Sequence, residues 1–170
     1  MEILTTRFGQ ITVDDGKVIE MRGGILGFDR LRRYVFLIQN RKVPFWILQS
    51  AEEPSVAFYV INPFLVKPDY APTIRDEDVA LLEIESPQDV TVMVIATIRT
   101  DPMRVAVNLR APVIINVSKM LAKQIVLEDQ SWQIQCSLVG ETVADESDDG
   151  DDRRKSLVSD ITVRKEGSGK

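Results

Sequence analysis

Short runs of apolar and β-branched residues, separated by turn residues, follow one another along most of the chain. The longest run covers residues 91–98 and is typical of a strand that is buried on both faces. About ten such runs occur, with turn residues at intervals of roughly 8–12 positions. No regular alternation of strand and helix is visible, which disfavours a doubly wound parallel sheet. The pattern predicts a mainly β fold: a small antiparallel β-barrel-like domain with one or two short helices.

One turn has a specific sequence. Asp14-Asp15-Gly16 lies between two strand candidates, residues 10–13 and 17–21. An Asp-Gly pair between β-type runs is the strongest short-range indication of a hairpin. We therefore expect these two strands to pair.

Residues 104–116 have the pattern strand, break, strand, with the break at Pro112. Proline has no amide hydrogen and biases the preceding residue towards extended conformations. Asn108 and Asn116 are polar residues at otherwise apolar positions of this segment. Because a buried amide needs hydrogen-bond partners, we expect each asparagine to hold a neighbouring turn.

The clearest helix candidate covers residues 76–84. Asp76 is suited to the N-cap, and Glu77 and Asp78 favour the positive end of the helix dipole. Upstream, Asn62-Pro63-Phe64 ends regular strand pairing, and the prolines that follow predict a long loop.

The composition changes near Gly140. Acidic residues dominate up to residue 152, and a basic group then follows at residues 153–155. Such a segment cannot bury enough apolar surface to offset the entropy lost on ordering. We therefore predict a folded domain over residues 1–138 and a charged, disordered tail over residues 139–170. Residues 156–163 keep some apolar alternation and are compatible with a transient strand or helix.

The chemistry available to the chain is restricted. It has no histidine and a single cysteine, Cys136, so it cannot build a Cys/His zinc site or a triad based on histidine. Gly23-Gly24-Ile25-Leu26-Gly27 matches neither a P-loop nor a dinucleotide-binding motif. We predict no catalytic residue, no cofactor and no metal, although acid–base work by carboxylate pairs stays open.

Charge and hydropathy indicate the kind of partner. The net charge is −5, from 21 basic and 26 acidic residues, which disfavours direct nucleic-acid binding and suits a basic protein partner. No apolar run approaches the ~20 residues of a membrane span. The N-terminus has no secretory pattern, and a lone cysteine fits a reducing compartment. We expect a cytoplasmic protein that does not bind membranes.

Carboxylates are concentrated between Asp69 and Asp89, where Arg75 is the single opposing base. They form either an acidic face for a basic protein or a solvated surface with helix capping. Phe64 and Tyr70, in the proline-rich loop, are candidates for exposed apolar contacts. Loop position and residue type together predict partner-binding residues, which are Phe64, Asp69, Tyr70, Asp76, Glu77 and Asp78.

A series of short segments carries a family resemblance. The segments are Thr6-Arg7-Phe8-Gly9, Gly24-Ile25-Leu26-Gly27-Phe28, residues 45–50, Ala57-Phe58, Asn62-Pro63-Phe64, Pro68-Asp69-Tyr70, residues 92–97, Asn108-Leu109, residues 111–116 and residues 124–127. No single segment is specific, but in this order and spacing they resemble the flagellar assembly factor family, FliW, over residues 1–135.

The resemblance implies a small β-barrel-like protein without enzymatic activity. Members of this family bind the RNA-binding translational regulator called carbon storage regulator A (CsrA). They relieve its repression of flagellin mRNA by a non-competitive, allosteric route, and they also bind flagellin in a partner switch. The resemblance says nothing about residues 139–170.

Two other classes of function stay open at this point. One is a β-barrel module that binds a small ligand or saccharide, which needs a concave pocket with inward polar groups. The other is a carboxylate-based hydrolase, which needs two carboxylates at a fixed separation in a cleft. A filled barrel interior would count against both.

Overall fold

A computed structural model describes residues 1–100, 103–138 and 162–163. Within these residues the chain forms two α-helices, Pro63–Val66 (α1) and Asp76–Leu81 (α2), and twelve strands. The strands are Glu2–Thr5 (β1), Gly9–Thr12 (β2), Ile19–Met21 (β3), Arg33–Leu37 (β4), Trp46–Ser50 (β5), Ala57–Ile61 (β6), Val90–Thr100 (β7), Met103–Val107 (β8), Val113–Asn116 (β9), Leu121–Gln124 (β10), Cys136–Leu138 (β11) and Thr162–Val163 (β12).

Seven strands close into a ring. Their order is β7-β6-β5-β4-β3-β10-β9, and β9 pairs back onto β7. Closure depends on the length of β7: its first half pairs with β9, and its second half pairs with β6 on one side and β8 on the other. All pairs in the ring are antiparallel except β3 with β10. The predicted mainly β, barrel-like fold is confirmed, with one parallel pair added.

The interior of the ring is filled. One cluster of buried side chains takes members from all seven strands, among them Met21, Phe36, Leu48, Met93 and Ile115. A second cluster lies between the ring and the segment that carries α2, and it includes Tyr70, Leu82 and Leu109. Because side chains occupy the barrel interior, a ligand or a protein would have to bind on the outside of the ring.

The predicted hairpin around Gly16 is wrong. Strand β2 pairs with β1 and with β12, whereas β3 pairs with β4 and β10. The Asp14 carboxylate accepts the Gly16 N–H at 2.8 Å, and residues Asp15–Lys17 form a 3-10 turn. Gly16 does not have the positive φ that a two-residue type I′ hairpin requires. The turn therefore passes the chain from the small β1–β2 sheet into the barrel.

The predicted tail, residues 139–170, lies outside the described residues apart from Thr162–Val163, which pair with β2.

The β1–β2 sheet itself packs on the barrel through Ile3 and Ile11, which belong to a buried cluster that also contains Val35 and Leu37.

Within the described residues, no helix has the length and apolar character needed to cross a membrane.

Candidate functional site

A groove of about 830 Å³ lies between α1, the loop after it, α2 and the start of β7. Its lining is mainly apolar and includes Phe64, Ile74, Val79, Ile84 and Val92. Concave apolar surfaces of this size are typical of binding sites. Local sequence builds each of its walls.

Helix α1 forms the first wall. The Asn62 side chain accepts the Phe64 N–H at 3.1 Å, and Pro63 occupies the first helical position. Asparagine at the N-cap followed by proline is a common helix start. The sequence therefore contained a signal for this short helix, although only a loop was predicted here. Phe64 is 42% exposed, as expected from its position in the proline-rich loop.

Tyr70 supports the groove from inside. It is 3% exposed, its hydroxyl donates to the Leu109 carbonyl at 2.6 Å, and its ring packs edge-on against Phe64 and Trp132. The expectation that Tyr70 is exposed is therefore wrong. A tyrosine is readily buried when its ring finds apolar cover and its hydroxyl finds an acceptor. Burial also raises the pKa of Tyr70 above its ordinary value.

Helix α2 forms the second wall and begins one residue earlier than capping by Asp76 would require. Arg75 is the N-cap, its side chain makes no capping hydrogen bond, and Asp76 is the first helical residue. Asp76 and Glu77 are exposed, whereas Asp78 is buried. Three consecutive helical residues cannot share one face, because each turns the side chain by about 100°. The acidic run is therefore divided between the surface and the interior.

Asp78 binds two basic side chains. Lys123 Nζ donates to its Oδ1 at 2.5 Å, and Arg75 Nε donates to its Oδ2 at 3.4 Å. This carboxylate therefore connects α2 to β10.

The C-terminus of α2 is held by Asn116. Its Nδ2 donates to the carbonyls of Leu82 and Glu83 at 2.9 and 3.0 Å, and its Oδ1 accepts the N–H groups of Ser118 and Lys119. The expectation that Asn116 holds a turn is confirmed. Asn108 does the same more simply, since its Oδ1 accepts two N–H groups, those of Arg110 and Ala111.

Unpaired carboxylates border the groove. Glu85 is part of its lining, and Asp76 lies three residues before Val79, on the same side of α2. Asp76, Glu83 and Glu85 are exposed and make no ion pair with any residue that the structure describes. Asp69, by contrast, is 3.4 Å from Lys67, and Glu77 is 3.8 Å from Arg75.

The structure thus brings part of the predicted set together. Phe64 and Tyr70 line one groove, Asp76 stands beside it, and Asp69 directly precedes Tyr70. Asp78 points inward, away from any surface contact. Other lining residues were missed, although their apolar character within a polar stretch was visible in the sequence: Ile74, Val79, Ile84, Val90 and Val92. A partner-binding role for any of these residues remains a prediction.

The described residues offer little support for a metal site, a reactive cysteine or a ligand inside the barrel. Within residues 1–100 and 103–138, no group of three or more Cys, Asp or Glu side chains is placed to hold a metal ion. Cys136 is half-buried and packs against the second core cluster. The filled barrel interior counts against a saccharide or small ligand bound within the ring.

Comparison with known proteins extends the resemblance. The model of the FliW protein family matches residues 2–138. The flagellar assembly factor FliW of Syntrophus aciditrophicus is 45% identical over 139 residues, which is 82% of this chain and 88% of the relative. That of Ruminiclostridium cellulolyticum is 36% identical over 142 residues, 83% of this chain and 96% of the relative. A crystal structure of the flagellar assembly factor FliW superimposes with a TM-score of 0.74 at 33% identity, covering 84% of this chain and all of that one.

Proposed function

Because the chain belongs to the FliW family of flagellar assembly factors, we propose that it regulates flagellin synthesis by binding proteins, without catalysis. Its first partner is CsrA, which it antagonises by a non-competitive, allosteric route, so that repression of flagellin mRNA translation is relieved. Its second partner is flagellin. Free flagellin then withdraws the factor from CsrA, and the cytoplasmic pool of unsecreted flagellin controls its own synthesis.

The family match over the whole folded domain carries this proposal. The charge of the chain agrees with it, because a net charge of −5 suits a partner that is basic where it binds RNA. The filled barrel agrees as well, since it leaves the outer surface as the place of action.

Electrostatics supply a mechanism for non-competitive release. If the factor docks beside the RNA surface of CsrA, its exposed carboxylates lie within about 10 Å of bound phosphates, a distance over which charges still interact at physiological salt. Repulsion then weakens RNA binding without occupation of the RNA site. Asp76, Glu83 and Glu85 are the unpaired carboxylates available for this in the groove region.

A titration with purified partners tests the proposal. Fluorescently labelled flagellin leader RNA bound to CsrA is titrated with this chain, with and without flagellin, while CsrA binding and RNA release are measured separately. We expect this chain to bind the CsrA–RNA complex and to raise the rate of RNA dissociation, and flagellin to reverse both effects. No binding to either partner would overturn the proposal. Release by simple competition, with no ternary complex, would overturn the allosteric route.

A further inference from the structure

The groove between α1, α2 and β7 is an apolar surface that the packing of the domain leaves open. We propose that it is the docking site for an apolar segment of CsrA that carries lysine or arginine on its flanks. The inference rests on the proposed function and deepens it by assigning the surface that the regulator uses.

The apolar side chains of the groove adjoin one another and are not scattered singly over the surface. The groove lining is contributed by two helices, the two segments that follow them and a strand. Phe64, with 42% of its surface exposed, stands at the edge of this lining. Exposed aromatic side chains beside apolar depressions are typical anchors in protein interfaces.

The groove is also pre-formed. The Tyr70–Leu109 hydrogen bond fixes the loop, Asn116 fixes the end of α2, and the Asp78–Lys123 pair fixes α2 against the barrel. A binding surface that is already ordered avoids the entropy cost of ordering side chains and loops on association. These three interactions therefore favour affinity by keeping the groove ordered before a partner binds.

Charge selects the occupant. Glu85 belongs to the lining and Asp76 lies three residues before the lining residue Val79; both are exposed and neither makes an ion pair with a base among the described residues. An apolar segment with basic flanks complements this border, and an acidic segment is repelled. Of the two proposed partners, the one that must be basic to bind RNA is CsrA.

A small polar ligand fits the groove less well. The Asn62 side chain already accepts the Phe64 N–H, and the Ser86 hydroxyl contacts Gln88. The Tyr70 hydroxyl is likewise engaged, by the Leu109 carbonyl, and the Thr91 hydroxyl is the lining hydroxyl without a partner among the described residues. Small-molecule sites fix their ligands with several converging polar groups, which this lining does not offer.

Two groove variants and two matched controls test the inference. Phe64→Ala removes the exposed ring, and Glu85→Lys reverses one border charge. The controls are Phe28→Ala, whose side chain is 39% exposed, and Asp29→Lys, an exposed carboxylate; both lie in the loop before β4 and outside the groove lining. Circular dichroism and thermal unfolding establish that all four proteins fold.

We expect each groove variant to weaken CsrA binding by about tenfold or more, as interface anchors do, and each control to change it by less than about twofold. Glu85→Lys should also reduce the salt dependence of binding. Hydrogen exchange of residues 72–92 should slow in the complex.

The outcomes separate this inference from the proposed function. If the unaltered chain binds neither CsrA nor flagellin, the proposed function fails. If it binds CsrA and the folded groove variants bind equally well, the groove assignment fails alone. Loss of flagellin binding with CsrA binding retained would assign the groove to flagellin, and self-association abolished by Phe64→Ala would assign it to a second copy; either result overturns the inference.

Discussion

Asp78 and Lys123 form the shortest of the ion pairs in the acidic region, with Oδ1 and Nζ 2.5 Å apart although 45 residues separate them in sequence. The Asp78 side chain is 2% exposed and that of Lys123 is 27% exposed. Removing one partner of a buried ion pair leaves the other charge uncompensated, which is strongly destabilising. The pair therefore belongs to the support of α2 and not to its surface.

Replacing Asp78 should destabilise the protein. We expect Asp78→Asn to lower the free energy of unfolding by about 3 kcal/mol, since Lys123 and Arg75 then lose the negative charge opposite them and the new amide Nδ2, a donor, faces one of these two donors. Urea denaturation measures the change. Asp69→Asn, which removes an exposed carboxylate paired with Lys67 at 3.4 Å, is the control and should change the free energy of unfolding by less than about 1 kcal/mol. Similar values for the two variants would contradict the structural role of Asp78.

Charge reversal in the acidic run should therefore be confined to Asp76 and Glu77. Both are exposed in the first turn of α2, so Asp76→Lys with Glu77→Lys should cost about 1 kcal/mol of stability through the helix dipole and leave the fold intact. If the acidic face guides a basic partner, the association rate with CsrA should fall, and the fall should be largest at low salt. Stopped-flow mixing at two salt concentrations measures it. An unchanged association rate would show that these two side chains take no part.

The two asparagines that hold turns offer an internally controlled test of side-chain hydrogen bonds. Asn108→Asp should change stability by less than about 1 kcal/mol, because its Oδ1 accepts two N–H groups that a carboxylate also accepts. Asn116→Asp should cost about 3 kcal/mol, because its Nδ2 donates to two carbonyls, which a carboxylate would instead repel in a site that is 1% exposed. Thermal unfolding of the two isosteric variants compares them directly. Equal losses would mean that the donated hydrogen bonds of Asn116 contribute little.

These residues show which parts of the fold and site are predictable from sequence. Strand runs and the turn-holding role of Asn108 and Asn116 follow from local pattern and from the rule that buried amides are paired. The burial of Tyr70 and Asp78 does not, because the acceptor of Tyr70 lies 39 residues away and Lys123, the base in closer contact with Asp78, lies 45 residues away. The failed hairpin has a different origin: β2 pairs with β1, the strand just before it, and β3 pairs with β4, the strand just after it, so the Asp-Gly turn connects two separate sheets. The pairing of β7 with β9, which closes the ring, joins residues more than 15 positions apart, so it could not be predicted from the local sequence pattern.

Glu83 is a place where a substitution should stabilise the protein. It has a φ of 53°, follows the C-cap of α2, and precedes an Ile84 N–H that bonds to the Val79 carbonyl at 3.0 Å. Glycine is the preferred residue at such a left-handed helix end. Glu83→Gly should raise the free energy of unfolding by about 0.5–1 kcal/mol, after allowance for the greater freedom of glycine in the unfolded chain. Glu83→Ala removes the same side chain but keeps the unfavourable φ, so it should give no gain. A stabilisation by both variants would point to the side chain, and not to the backbone, as the cause.

Tyr34 should make stability depend on alkaline pH. It is fully buried, its hydroxyl has no hydrogen-bond partner among the described residues, and burial, with a contribution from the charge of Glu52, raises its pKa to about 12. In the unfolded chain a tyrosine titrates near pH 10. Between these two values the unfolded chain releases the proton and the folded protein holds it, so the stability contributed by the neutral phenol is full below about pH 10 and is lost as the pH rises towards 12. Tyr70, whose pKa burial also raises, contributes in the same direction.

Tyr34→Phe isolates the contribution of Tyr34. At pH 8 we expect a stability equal to or above that of the unaltered chain, since the phenylalanine keeps the ring and removes a hydroxyl that has no described partner. Between pH 9 and 11.5 its free energy of unfolding should fall less steeply, and the remaining slope should contain the titration of Tyr70 and the lysines. Urea unfolding across this range provides the comparison. Parallel curves for the two proteins would mean that the Tyr34 phenol ionises as easily in the folded state as in the unfolded one, and hence that solvent reaches it inside the barrel.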